Sequence, residues 1–139
     1  MRYYPHILAI VFTLFFIALG INPVDRAVWV VEVIPVVVVF LALLLTYTKF
    51  QFTHLSYSLM AFWLFWHTVG GHYTFANVPF DFVTNLFDFE RNHFDRVGHL
   101  VIGFYAYPTV EFLTRKKYTN ALVASLFGLF FIMSIAVWL

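Results

Sequence analysis

The run AVWVVEVIPVVVVFLALLLTY, residues 27–47, decides the fold. It contains a single charge, Glu32, and a single proline, Pro35. Its length meets the roughly 20 residues that a helix needs to cross the hydrocarbon core of a bilayer. Four more apolar runs follow the same logic, at residues 7–21, 55–69, 97–112 and 121–139. The whole chain has 139 residues, of which 63% are hydrophobic and 11% charged. Its mean hydropathy is +0.86. A soluble domain carries about 25% charged residues and could not hide this much apolar surface at this size. The expectation is therefore an all-α, multi-pass transmembrane helix bundle in one integral membrane domain, residues 1–139. Its five spans fall at about 5–21, 27–47, 55–70, 96–112 and 121–139.

The net charge of +1 carries no nucleic-acid footprint. The absence of cysteine excludes disulfides and thiolate metal sites. The first run competes with a signal peptide, because Arg2 supplies a positive end and Ala18-Leu19-Gly20 resembles a cleavage site. An uncleaved anchor is favoured, since further spans follow with no soluble domain between them. Five spans put Arg2, Lys49, Arg115, Lys116 and Lys117 on one side and Arg26, Arg91 and Arg96 on the other. The positive-inside bias then places the N-terminus in the cytoplasm. Glu111 lies four residues before Arg115, the favourable order for a helix ion pair, and reads as a cytoplasmic anchor.

The connector PFDFVTNLFDF, residues 79–89, is amphipathic at helical period. Phe80, Phe82, Val83, Leu86, Phe87 and Phe89 share one half of the wheel. Asp81, Thr84, Asn85 and Asp88 lie opposite. This pattern predicts a helix at about 79–89 lying in the membrane interface, as a membrane-hugging connector in preference to a mobile lid.

Titratable residues inside the spans are costly, and they normally face the bundle interior. Glu32, His67, Asp95 and His99 come from three spans and fall at similar depth near the outer side. Ser56, Met60, Trp63, His67 and Gly70 form one stripe on the third span. Asp95, Arg96, His99, Gly103 and Ala106 form an arc on the fourth. The expectation is an outward-facing polar pocket walled by spans two, three and four and roofed by the Phe-rich helix.

Three uses fit such a pocket. His67, His72, Asp95, His99 and Glu32 are candidate ligands for a divalent metal, with Gly70-Gly71 supplying the loop that brings His67 and His72 together. Arg91, Arg96 and His93 are candidate binders of a lipid-linked polar headgroup, and His67, Asp95 and His99 are the catalytic candidates. The alternative is a non-catalytic scaffold or partner-binding module whose polar cluster holds helices together. In that case Asp95 caps span four, and His99 bonds Glu32. An ion path is disfavoured, because spans one and five have almost no polar groups to continue it.

The stretches WHTVGGHYTFANVP (66–79) and RNHFDRVGHLVIGF (91–104) resemble the signatures of the YjdF-like family of bacterial inner-membrane proteins, whose function is unknown. The matching positions are Trp66 or Trp63, His67, Gly70, Tyr73, Pro79, Arg91, Asn92, Asp95, Arg96, Gly98 and His99. Phe75 stands where the pattern often has Tyr. Asp95-Arg96 and His99 also resemble, over a short stretch, the start of a helix in VanZ-like membrane proteins. The resemblance implies a multi-pass protein of the bacterial inner membrane, and the expected partners are the lipid bilayer and a lipid-linked headgroup or another membrane protein, with no nucleic acid. Family members continue past Trp138-Leu139 with further segments, so the resemblance implies a short or truncated member.

Overall fold

The computed structural model describes residues 3–88 and 92–138. These form α1 (Tyr4–Ile21), α2 (Arg26–Thr46), α3 (His54–Tyr73), α4 (Asp81–Leu86), α5 (Phe94–Ile102), a 3-10 turn (Gly103–Tyr105), α6 (Ala106–Arg115) and α7 (Ala121–Trp138). Among the described residues there is no strand, so the fold is all-α. The helices α1 and α2 are long and apolar enough to cross a membrane. Their outward side chains, such as Ile10, Leu14, Ile17, Val31, Ile34 and Leu45, are exposed. An apolar exterior on this scale is solvated by lipid rather than water.

Local chemistry sets the helix ends. Pro5 sits in the first turn of α1, where no backbone donor is lost. The Asp25 carboxylate caps α2 by accepting from the amides of Ala27 (2.8 Å) and Val28 (3.0 Å). Carbonyls at the end of α1 have no helical partner. Arg26 donates to Gly20 (2.5 Å) and Ile21 (2.8 Å), and His72 Nδ1 donates to Leu19 (2.7 Å). The C-terminus of α1 is thus closed by side chains from α2 and α3.

The bundle is organised about α3, which packs on α1, α2, α5 and α6. The expected stripe of Ser56, Met60, Trp63, His67 and Gly70 is buried, within a wider buried face that also includes Tyr57, Ala61, Leu64, Thr68 and Gly71. The core around it contains Phe12, Val36, Trp63, Leu64, Val101, Ile102 and Ile132. The backbones of α1 and α2 approach α3 more closely than each other. Large rings bridge the gap between them, Phe12 to Phe40 at 4.9 Å and Phe16 to Trp29 at 5.4 Å.

Residues 94–115 form one helical rod with a tightened middle. Pro108 lacks a backbone N–H, and its ring crowds the carbonyl four residues earlier, at Phe104. The 3-10 turn at Gly103–Tyr105 absorbs that conflict. Tyr105 then donates to the Met60 carbonyl (3.1 Å) and fastens this turn to α3. On the far side of the rod, Gly128 of α7 faces the Ala106 carbonyl and the Val110 side chain.

Two expectations about helix extent change. The third helix does not stop at Gly70-Gly71 but runs on to Tyr73. The helix expected at 79–89 is only Asp81–Leu86. Phe80 has left its apolar face and turned inward onto Trp66 (6.1 Å) and Phe94 (5.5 Å). Phe82, Leu86 and Phe87 remain exposed. Phe89 lies outside the described residues.

The Glu111–Arg115 pair is present at 2.5 Å, but it is more than a surface pair. Glu111 is buried and accepts from the Thr53 amide (2.9 Å), the Thr53 hydroxyl (2.9 Å) and the Ser56 hydroxyl. It therefore completes the N-cap of α3 from another helix. Removing a buried acceptor strands its donors. Glu111→Ala should lower stability by about 1–3 kcal/mol, read by thermal unfolding in detergent micelles.

Candidate functional site

The site grows from the C-terminal turn of α3. The helix ends in two residues of left-handed conformation, Thr74 (φ 60) and Phe75 (φ 55). Non-glycine residues adopt that region only when their surroundings hold them there. Here the Phe75 amide bonds back to the Gly70 carbonyl at 2.7 Å. The ring of Phe75 occupies the space that a side chain at Gly70 would need, with a Cβ there only 2.2 Å from the ring. Gly71 does the same work on the other face, where a Cβ would lie 3.3 Å from the Cβ of Glu32. One glycine admits the turn and the other admits α2.

His67 stands one helical turn earlier, buried between them. Its Nε2 donates to the Glu32 carbonyl at 3.1 Å and lies 3.6 Å from the Glu32 carboxylate. Its ring packs on Trp63 and Phe75, each at 5.0 Å. From the opposite wall, His99 pairs with Asp95 at 3.6 Å along α5. His67 lies within electrostatic range of both Asp95 and His99, and Glu32 within range of Asp95. A cleft of about 20 Å³ lies between the walls, lined by Trp63, His67, Phe75, Asp95, Gly98, His99 and Ile102. That is room for about one water or one small polar group.

Helix α5 meets α3 at Gly98, where an added Cβ would lie 3.4 Å from the Trp66 indole, an ordinary contact distance. Trp66 stacks flat on Phe94 at 4.3 Å. Asn92 starts α5 by accepting from the Phe94 amide (2.8 Å), while its own amide donates to the Val78 carbonyl (2.7 Å). Asn92 orders the entry to α5, and Asp95 lies inside the first turn of that helix rather than capping it.

His67, Asp95 and His99 line the cleft and Glu32 is paired with His67, while the other candidates are not part of the cleft. His72 is turned to the end of α1. Among the described residues, no group of three metal-ligating side chains gathers. Arg96 is exposed and donates to His93 at 3.2 Å, and neither residue lines the cleft. Arg91 lies outside the described residues. The expected small-residue arc shifts as well: Gly98 makes the close contact, and Gly103 faces open space. The roof is Phe75 rather than the Phe-rich segment. Phe75 was missed as a site residue because its position depends on the left-handed turn, which no glycine or asparagine announces.

Gly70→Ala should destabilise the protein by about 1–3 kcal/mol. Adding Phe75→Ala should recover part of that loss, because the two changes share one space. A double-mutant cycle of unfolding in detergent reads this coupling, and simple additivity would contradict it.

A family model described as a predicted membrane protein (DUF2238) matches residues 4–138. The inner membrane protein YjdF of Escherichia coli (strain K12) is 37% identical over 114 residues, covering 81% of this chain and 54% of that protein. The chain thus spans about half the length of this curated relative. No solved structure matches.

Proposed function

The chain belongs to the DUF2238 family of predicted membrane proteins, and from that premise we propose an inner-membrane protein with an outward-facing headgroup site. Five spans carry it: α1, α2, α3, the rod of α5 to α6, and α7. The N-terminus is cytoplasmic. Lys49, Arg115, Lys116 and Lys117 cluster at the end assigned to the cytoplasm. The other end carries fewer basic residues, Arg26, Arg91 and Arg96. The short helix α4 lies at the outer interface with Phe82, Leu86 and Phe87 toward lipid.

One observation supports the site: a small cleft between α3 and α5 is lined by His67, Asp95 and His99 beside the rings of Trp63 and Phe75, and the Glu32 carboxylate of α2 lies 3.6 Å from His67. Carboxylates from Glu32 and Asp95 give the cleft a negative bias. A bare phosphate is repelled there, whereas an ammonium or hydroxyl is attracted. The exposed Arg96–His93 pair on the rim suits a phosphate. The arrangement fits a zwitterionic lipid headgroup, with its amine in the cleft and its phosphate at the rim. A divalent metal is less well matched, because His72 is committed to α1.

The second reading is a scaffold. His67 favours it, since its Nε2 is engaged by Glu32 of α2 and its ring is enclosed. The two readings divide the histidines. His67 clamps helices, and half-buried His99 faces the ligand. His67→Ala should lower stability by about 2–4 kcal/mol. His99→Ala should change stability by no more than about 0.5 kcal/mol and weaken binding of short-chain phosphatidylethanolamine about tenfold. Tryptophan fluorescence reports the binding, because Trp63 lines the cleft. Unchanged affinity in His99→Ala leaves the scaffold.

The topology has its own test, since the chain has no native cysteine. Asn77→Cys should react with a membrane-impermeant maleimide on intact spheroplasts. Lys117→Cys should react only after permeabilisation.

A further inference from the structure

A second feature lies at the other end of the bundle. The splayed α1 and α2 leave an apolar groove with α3 as its floor. One compartment, of about 160 Å³, is lined by residues that include Leu8, Ala9, Phe12, Leu43, Ala61 and Leu64. A second, of about 70 Å³, continues along α1 and α2 and shares Phe12 and Phe40 with the first. The groove also has a polar mouth. His6 and Tyr47 line both the large compartment and an open bowl of about 580 Å³, completed by Tyr3 and Gln51. Their rings meet edge to face at 5.0 Å where the two spaces join. A polar bowl running into an apolar trough has the shape of an amphiphile.

Charge at the mouth selects among amphiphiles. The Arg115 guanidinium bonds the carbonyl of Gln51, a bowl residue, at 2.7 Å. Lys116 lies 5.7 Å from the ring of Phe50, and Lys49 is exposed beside that residue. Glu111 is the sole carboxylate at this end among the described residues, and it is buried against Arg115, Thr53 and Ser56. Lys49 and Lys116 are thus left with no acid nearby to balance them.

We infer that this groove is a binding site for one anionic phospholipid, with an acyl chain between α1 and α2 and the phosphate in the bowl beside Lys49 and Lys116. The site is separate from the outer cleft in both position and charge. It differs from the general lipid-facing surface in having a floor, two walls and a cationic mouth.

Native mass spectrometry of the full chain, released from detergent after incubation with phosphatidylglycerol or phosphatidylcholine, tests the inference. Phosphatidylcholine is zwitterionic and suits the outer cleft as well, so the groove is read from the difference between wild type and Ala9→Phe with phosphatidylglycerol, which has no amine. The wild-type chain should retain one lipid, phosphatidylglycerol in preference to phosphatidylcholine by about fivefold. Ala9→Phe fills the groove and should reduce retention about tenfold. Ile10→Phe points from the exposed side of the same helix and should retain lipid as the wild type does. Lys49→Gln should lower the preference for phosphatidylglycerol and leave phosphatidylcholine unchanged. Circular dichroism checks that each variant is folded. Equal retention in wild type and Ala9→Phe overturns the inference. So does equal loss in Ala9→Phe and Ile10→Phe, or a lipid-free dimer that Ala9→Phe dissociates.

Discussion

The closeness of three backbones around the last turns of α3 is the constraint on which the rest depends. Hydrocarbon offers little hydrophobic drive for helices to associate, so packing and a few polar bonds must hold them. Gly71 lets the Glu32 backbone come near enough for its carbonyl to accept from His67. Gly70 lets Phe75 fold back and close the turn above the same histidine. Gly98 brings α5 against Trp66 and so presents Asp95 and His99 to the cleft. A side chain at Gly70 would displace Phe75 and one at Gly71 would press on Glu32, whereas one at Gly98 would meet Trp66 at ordinary contact distance.

Both ends of α3 are polar, and they solve different problems. At its start, Glu111 takes hydrogen bonds from Thr53 and Ser56, groups that would otherwise lack partners, and Arg115 balances its charge. Those polar groups satisfy one another, which is the usual condition for polar groups in a core. At the other end, among the described residues, the carboxylates of Glu32 and Asp95 face histidines at 3.6 Å each. Distances that long are ion-pair contacts rather than hydrogen bonds. The contrast between the two ends is what separates a structural cluster from a candidate binding cluster on the same helix.

Much of this architecture is legible in the residues. The apolar runs give α1 and α2 almost to their ends, and the helical stripe from Ser56 to Gly70 is the stripe that is buried. The shared depth of Glu32, His67, Asp95 and His99 follows from counting turns. What sequence reading misplaces depends on contacts between distant segments. Glu111 looks like a surface partner of Arg115 until α3 arrives with Thr53 and Ser56. Phe80 belongs to an amphipathic pattern by its spacing but is drawn off by Trp66 and Phe94. Gly70-Gly71 reads as a helix stop, whereas packing against Phe75 and Glu32 keeps the helix going.

The most direct test of the account is a cross-link between α2 and α3 at the glycine contact. A Cβ at position 71 lies 3.3 Å from that of Glu32, close to the roughly 3.5–4.5 Å separation across a disulfide. In a chain without native cysteine, Glu32→Cys with Gly71→Cys should form a disulfide in isolated membranes under mild oxidation. The pair Val31→Cys with Gly71→Cys should not. If both thiols of the first pair react freely with maleimide yet no bond forms, α2 and α3 do not meet there, and the site built on that contact does not exist.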